Sequence, residues 1–155
     1  MINTEFSSVD REIISLLQHN ARMTNRELAA RVNLSPSACL TRVRALRERG
    51  IITGFRAEID LAGAGRPLQA LIAIRMNVHR RAQLERLVDD LLSLDETLSL
   101  FHVSGEDDYL LHVAVADANT LRDFVLDRLT SRPEIAHVHT SLVFEHMRSA
   151  EVALN

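Results

Sequence analysis

The sequence predicts an α+β protein built in two parts, and three observations carry that reading. Helix-start and helix-stop signals follow one another closely over the first fifty residues. From Leu68 the apolar spacing changes from the period of a helix to the period of a strand. Strand and helix patterns then alternate as β-α-β-β-α-β, the order of a ferredoxin-like unit. The expected divisions are a helical domain over 1–60, a linker over 61–67, the ferredoxin-like domain over 68–148 and a tail over 149–155.

The helical part reads in order. Val9, Ile13, Leu16 and Leu17 fall on one face of a helix ending near His19-Asn20. Thr24-Asn25-Arg26-Glu27 is a capping box, in which the threonine caps the backbone and the glutamate reaches back. The helix it opens buries Leu28, Ala29 and Val32 and stops at Asn33, a residue that tolerates the left-handed conformation. Ser35-Pro36-Ser37 starts a third helix, with serine as N-cap and proline in the first turn. That helix runs to Arg49 before Gly50, with Cys39, Val43 and Leu46 as its inner stripe.

Ile51 to Asp60 reads as a short hairpin or a pair of extended segments, the wing of a winged-helix-like domain. Leu61-Ala62-Gly63-Ala64-Gly65-Arg66-Pro67 has the breakers of a linker. Beyond it, Ile72, Ile74, Met76 and Val78 alternate with polar or small residues as a half-buried strand. Leu84, Leu87, Val88 and Leu91 mark a helix, and strands follow near Leu98–Ser104 and Tyr109–Ala116. Leu121, Phe124, Val125 and Leu129 mark a second helix that Pro133 stops, and a last strand spans Ile135 to Glu145. A sheet covered by helices on one face leaves the other to find a partner, so assembly belongs to the residues after Leu68.

Composition narrows the function. At 155 residues, 46% hydrophobic and 25% charged, the chain is a soluble globular protein that needs no disulfide or metal to fold. One cysteine excludes a disulfide framework and any CxxC site. No apolar run reaches a membrane span, and Met1-Ile2-Asn3-Thr4-Glu5 lacks the pattern of a signal peptide, so the chain is expected to stay in the cytoplasm. Net charge is −3, but residues 1–50 carry 8 arginines against 5 acids while the rest carries 10 against 16. The helical part is therefore net positive and the remainder net negative, a polarity that suits contact with nucleic acid at one end.

Two helices joined by a short turn resemble a helix-turn-helix, a motif whose second helix lies in the major groove of DNA. With Cys39, Val43 and Leu46 inward, the outer face of the third helix presents Ser37, Thr41, Arg44 and Glu48, flanked by Ala38 and Arg42. Arginine forks onto guanine or phosphate, and hydroxyls accept or donate to either base edge. Ser35, Ser37, Ala38, Thr41, Arg42 and Arg44 are the candidate DNA-binding residues. The same pattern also describes an ordinary helical hairpin with a solvated basic face.

In the second part, Gly105-Glu106-Asp107-Asp108 separates the two middle strands. Glycine permits close backbone approach, successive turn amides accept a carboxylate, and Asp107 or Asp108 can pair with an ammonium group. A solvated hairpin turn has the same composition. His137 and His139 share a strand face, and His102 and His112 lie on central strands, but no acid or cysteine joins them at metal-ligand spacing, and no metal site is expected. Cys39 falls on a buried stripe and reads as a small hydrophobe.

The strings Val9-Asp10-Arg11-Glu12-Ile13-Ile14, Ala21-Arg22, Leu34-Ser35, Arg42-Val43 with Leu46, and Gly50-Ile51-Ile52 resemble the Lrp/AsnC family of amino-acid-responsive transcription regulators. Val103 to Leu111 is similar to the family's effector loop, and Thr140-Ser141-Leu142-Val143 to its closing strand, so the likeness spans about residues 8–148. The resemblance implies a non-enzymatic, sequence-specific regulator of double-stranded DNA, cytoplasmic and nucleoid-associated, whose dimers assemble into octamers. It implies an amino-acid effector and no other cofactor. The effector site it implies lies between dimers and contains Gly105, Glu106, Asp107 and Asp108, with His102, Ala118, Ser141 and Leu142 as its wall. Asp107 stands where the family usually has an aromatic residue. The paired aspartates and Phe144-Glu145-His146 resemble a subgroup of alanine-metabolism regulators, which points to alanine or another small or aliphatic amino acid.

Two rivals make different demands. A small-molecule enzyme on the ferredoxin-like unit requires a convergent acid–base pair, which the sequence does not supply. A ligand-independent DNA-architectural protein would bind DNA with no response to amino acids. Within the regulator reading, Asp108→Ala is expected to abolish the amino-acid response and leave folding intact, as suits a turn residue.

Overall fold

A computed structural model describes residues 6–77, 81–149 and 151–152, with Arg81 and Ala82 described by backbone alone. Val78, expected to extend the first strand, and Met1–Glu5 lie outside the described residues. The chain divides into two compact units: one is the chain up to Glu58 together with the stretch from Met147 on, the other is Ile59–His146.

In the first unit, α1 (Ser8–His19), α2 (Asn25–Arg31) and α3 (Pro36–Glu48) form as their caps dictate. The Ser7, Thr24 and Ser35 side chains accept from the backbone N–H groups of Asp10, Glu27 and Ala38, each satisfying a donor the helix leaves unpaired. The Glu27 carboxylate accepts from the Thr24 N–H at 2.8 Å, completing the capping box. Asn33 sits at φ 54°, and the Leu34 N–H returns to the Ala29 carbonyl, which closes α2. Gly50 at φ 70° closes α3 in the same way, with the Ile51 N–H on the Leu46 carbonyl. Ile13, Ile14, Leu17, Leu28, Ala29, Val32, Cys39 and Leu46 are the buried core, with Val9, Leu16 and Val43 at its edge.

Of the hairpin or pair of extended segments expected over 51–60, the hairpin does not form. Ile51 and Ile52 pack on the helical core, and Thr53 to Asp60 run exposed without a strand partner. Phe55 and Ile59 stay exposed, and an isolated two-stranded ribbon that leaves its apolar side chains in water is marginal. The 61–67 stretch is a tight turn: the Ala64 N–H donates to the Asp60 carbonyl and the Arg66 N–H to Leu61. Of the expected tail, Glu151 and Val152 return to α1, where the Val152 N–H donates to Gln18 Oε1 at 2.7 Å.

The second unit is a four-stranded antiparallel sheet in the order β2-β3-β1-β4, made of β1 (Leu68–Met76), β2 (Thr97–His102), β3 (Tyr109–Val115) and β4 (Ile135–Val143). Two helices, α4 (Arg81–Leu92) and α5 (Ala118–Phe124), complete it. α5 continues as a wider π-helical turn over Val125–Thr130, a change of helix type that apolar periodicity did not signal. β4 stops two residues short of the expected Glu145.

Ala70, Ile72, Ile74 and Met76 of β1 and Tyr109, Leu111, Val113 and Val115 of β3 share one core with Leu87 and Leu91 of α4 and Leu121, Phe124 and Leu129. Those strand residues therefore face the helices. Strand register puts Leu71, Ala73, His112, Ser141 and His139 on the other face, which is mixed in polarity. There His112, only 6% exposed, contacts Gln69 Oε1 through Nε2 at 3.0 Å, and the His146 ring meets it edge-on.

Candidate functional site

The first candidate surface is the opening of α3. Asn25 Nδ2 donates to the Pro36 carbonyl at 2.7 Å, tying the start of α2 to the start of α3 across the turn. Ser35, Ser37, Ala38, Thr41 and Arg44 are all exposed on the first three turns. Their hydroxyls have local work: Ser35 Oγ caps the helix and lies 3.1 Å from Ser37 Oγ, and Thr41 Oγ1 donates to the Ser37 carbonyl. Arg44 is the expected cation that stands outward, beside Arg47 and Glu48.

Arg42 has a second engagement that the helical wheel did not show. Its Nη1 donates to Asp10 Oδ1 at 2.9 Å and to Ser7 Oγ at 3.2 Å, so it clasps α3 to the N-terminus of α1. Burial pushes the Asp10 carboxyl up, but hydrogen bonds from Ser7 and Arg42 and the guanidinium charge outweigh it and hold the group below its ordinary value. Cys39 is fully buried and its thiol is pushed up by burial, as suits a core residue.

The second candidate surface is the loop between β2 and β3. The Val103 N–H donates to the Asp108 carbonyl at 3.0 Å, and the Asp108 N–H to the Ile74 carbonyl at 2.9 Å. Asp108 Oδ2 accepts the Met76 N–H at 2.7 Å, beside the register shift in β1. Arg75 Nε donates to the Glu106 carbonyl at 2.9 Å, and its Nη2 lies 3.5 Å from Glu106 Oε2. Gly105 has φ 131°, a conformation that side chains strain to adopt. His102 stacks on Tyr109 at 4.8 Å, and burial together with the Asp108 charge pushes the Tyr109 phenol up.

Asp108 therefore also holds the fold. One carboxylate oxygen satisfies a strand N–H, so Asp108→Ala would leave the Met76 N–H without that acceptor. The substitution therefore carries a stability cost of about 1–3 kcal/mol that its place in a turn does not suggest.

The remaining effector candidates are elsewhere. Ser141 pairs with Leu71 and Leu142 with Ala70, four or more positions along β1 from the Arg75 that holds the loop. Ala118 opens α5, beyond the far end of β3. At about 3.4 Å per residue the loop and Ala118 are separated by the roughly 20 Å length of β3. The fold thus gathers His102, Gly105, Glu106, Asp107 and Asp108 at one end of the sheet and leaves Ala118, Ser141 and Leu142 towards the other. Among the described residues no group of three or more His, Cys, Asp or Glu side chains is placed to hold a metal ion.

Residues 6–53 match a model described as winged helix-turn-helix DNA-binding, and residues 69–152 match the Lrp/AsnC ligand binding domain. The chain belongs to the Lrp/AsnC family. It is 39% identical over 146 residues to the HTH-type transcriptional regulator AldR of Mycobacterium tuberculosis, covering 94% of this chain and 82% of that protein. It is 32% identical over 150 residues to the leucine-responsive regulatory protein of Rhizobium meliloti, covering 97% and 96%. Among solved structures, a Neisseria meningitidis transcriptional regulator in complex with L-Met superposes with TM-score 0.84 at 34% identity, covering 94% of each chain. This Lrp/AsnC protein is accordingly a transcription regulator and not an enzyme, with a DNA-binding domain of helix-turn-helix type and a ligand-binding domain for an amino-acid effector. Among the described residues no helix is long and apolar enough to cross a membrane.

The contacts by which Arg75, Met76, Asn25 and Asp10 position candidate residues are not legible in the sequence. Arg75 was legible only as a polar residue on the alternate face of a strand, and nothing in its spacing pairs it with a loop 31 residues away.

Proposed function

We propose that α3 reads an operator through Arg44, Ser37, Ala38 and Thr41 and that the 105–108 loop binds a small or aliphatic amino acid in a site shared between copies of the chain. The observation that carries the shared site is the division of the effector candidates between two ends of one sheet. A free amino acid spans a few ångströms, whereas the loop lies about 20 Å from Ala118, so one chain cannot wrap the ligand with both. A neighbouring copy supplies the second half: the loop offers amides to the carboxylate and Asp107 to the ammonium, while Ala118, Ser141 and Leu142 of another chain close over the side chain.

Copies pair first through the sheet face opposite the helices, which carries Leu71, Ala73 and Phe101. Pairing sets two α3 helices about 34 Å apart, one per half-site on one side of the duplex. Further assembly to octamers brings loop and wall together, and ligand binding at that contact changes the assembly or the spacing of the reading heads. The division into a DNA-binding part over 1–60, a 61–67 linker, an effector part over 68–148 and a tail serves this arrangement, which operates in the cytoplasm on the nucleoid.

Subunit complementation tests the shared site. Asp107→Arg spoils the loop and Ser141→Trp spoils the wall, so either protein alone should show no melting shift with L-alanine, L-leucine or L-methionine. Co-expressed, they should regain a fraction of intact sites and a measurable shift. Binding by either variant alone, or no recovery in the mixture, overturns the shared site.

A further inference from the structure

The loop that receives the effector in the proposed function is anchored by three hydrogen bonds at its base and by Arg75 at its tip. The base bonds fix Val103 and Asp108: Val103 to Asp108, and Asp108 to both Ile74 and Met76 of β1. They leave the four residues 104–107 to be held by something else. Arg75 reaches that span from β1, with Nε on the Glu106 carbonyl at 2.9 Å and Nη2 3.5 Å from the Glu106 carboxylate.

The two arms of this clamp are unequal. The Glu106 side chain is 92% exposed and the Arg75 side chain 47%, so the ion pair is screened by water and adds little. The bond to the carbonyl is charge-assisted and directional, and it acts on the backbone itself. A trans peptide is planar, so its N–H points opposite to its carbonyl, and the peptide bonds of this chain are all trans among the described residues. Holding the Glu106 carbonyl towards Arg75 therefore turns the Asp107 N–H away from β1. Gly105 at φ 131° supplies the backbone turn that lets Glu106 reach this orientation.

We propose that Arg75 is a positioning residue for the effector loop: by holding the Glu106 carbonyl it presets the Asp107 N–H to receive the ligand carboxylate. The inference rests on the loop being the effector site. Preorganisation of this kind raises affinity by removing the ordering cost from the binding step, and makes no contact with the ligand.

The test uses the full-length protein, L-alanine, L-leucine and L-methionine as probes, and calorimetric titration. Arg75→Met keeps the stem and removes the donors; Arg75→Lys keeps a cationic donor within reach. For the amino acid that binds the wild type, Arg75→Met should bind at least tenfold more weakly, with ligand-free melting temperature and oligomeric size unchanged. Arg75→Lys should recover at least half of that loss on a logarithmic scale. Hydrogen exchange should quicken at the amides of 104–107 in Arg75→Met and stay unchanged in β1 and β3. Affinity within threefold of wild type in Arg75→Met, a lysine variant no better than methionine, or a loss that tracks altered assembly each overturns the role of Arg75. A wild type that binds none of the three amino acids overturns the effector loop itself, so the two failures are told apart.

Discussion

In the DNA-binding unit the turns are closed by near neighbours: Thr24 with Glu27, Ser35 with Ala38, Leu34 with Ala29. In the ligand-binding unit the proposed effector loop is held by a strand 31 and 32 positions earlier in the chain, through Arg75 to Glu106 and Met76 to Asp108. The difference is one of self-sufficiency. One chain presents the whole of the proposed reading surface at the start of α3, because capping and a two-helix hairpin are enough to build it. One chain presents only half of the proposed ligand site, because the sheet keeps the other half at its far end.

The largest effect that separates the two units comes from a core residue of one of them. Leu46 is buried among Ile13, Leu28 and Cys39, and Leu46→Ala should destabilise the first unit by about 2–5 kcal/mol through lost burial and a residual cavity. Chemical denaturation should then show the helical unit unfolding earlier, with DNA binding lost and amino-acid binding kept. Simultaneous loss of ligand binding would show that the units do not stand independently.

Next in size is the reading surface. Arg44→Ala should weaken operator binding by about 1–3 kcal/mol if Arg44 forks onto a base edge, measured by fluorescence anisotropy at fixed salt. The loss should be smaller on unrelated DNA, since a base contact carries sequence information and a phosphate contact does not. Equal losses on both would reassign Arg44 to the phosphate backbone.

A smaller effect tests the local closure of α3. Ser35→Ala removes the oxygen that accepts the Ala38 N–H and should cost about 1 kcal/mol of stability, while Ser35→Gly should cost only a few tenths. Thermal unfolding of both variants checks the ranking.

The smallest effect is pH-dependent and belongs to the Arg42–Asp10 clasp. The folded Asp10 carboxyl titrates below its unfolded value of 3.8, so its stabilisation is complete above that pH and is lost as pH falls through the lower folded value. Asp10→Asn should therefore flatten the acid limb of the stability curve below about pH 4, by less than about 1 kcal/mol given that Arg42 is 40% exposed. An acid limb identical to wild type would remove the clasp from the stability of α1 against α3.

What could be read beforehand follows the same division. The caps at Thr24 and Ser35, the left-handed Asn33 and the buried Cys39 and Leu46 were legible because each is signalled within a few residues. The alternation of Ile72, Ile74 and Met76 was legible as a strand, but which face met the helices became definite only when Leu87, Leu91 and Leu121 packed on it. Of the hairpin or extended segments expected over 51–60, the hairpin is absent, since Phe55 and Ile59 stay exposed and lend a ladder no burial. Asp108 was legible as a loop acid and not as the acceptor for Met76, since that bond depends on a strand pairing that spans the sheet.

The chain's return from Met147 to the first unit, where Val152 meets Gln18, bears on how such regulators can be recombined. A single splice near residue 60 would transplant the three helices onto a new sensor and leave behind the carboxy-terminal stretch that Gln18 pairs with. Exchange of the whole unit takes two crossovers, one on each side of the sensor. In gene architecture the DNA-binding unit brackets the sensor, so the sensor is the part that can be lifted out as one uninterrupted segment.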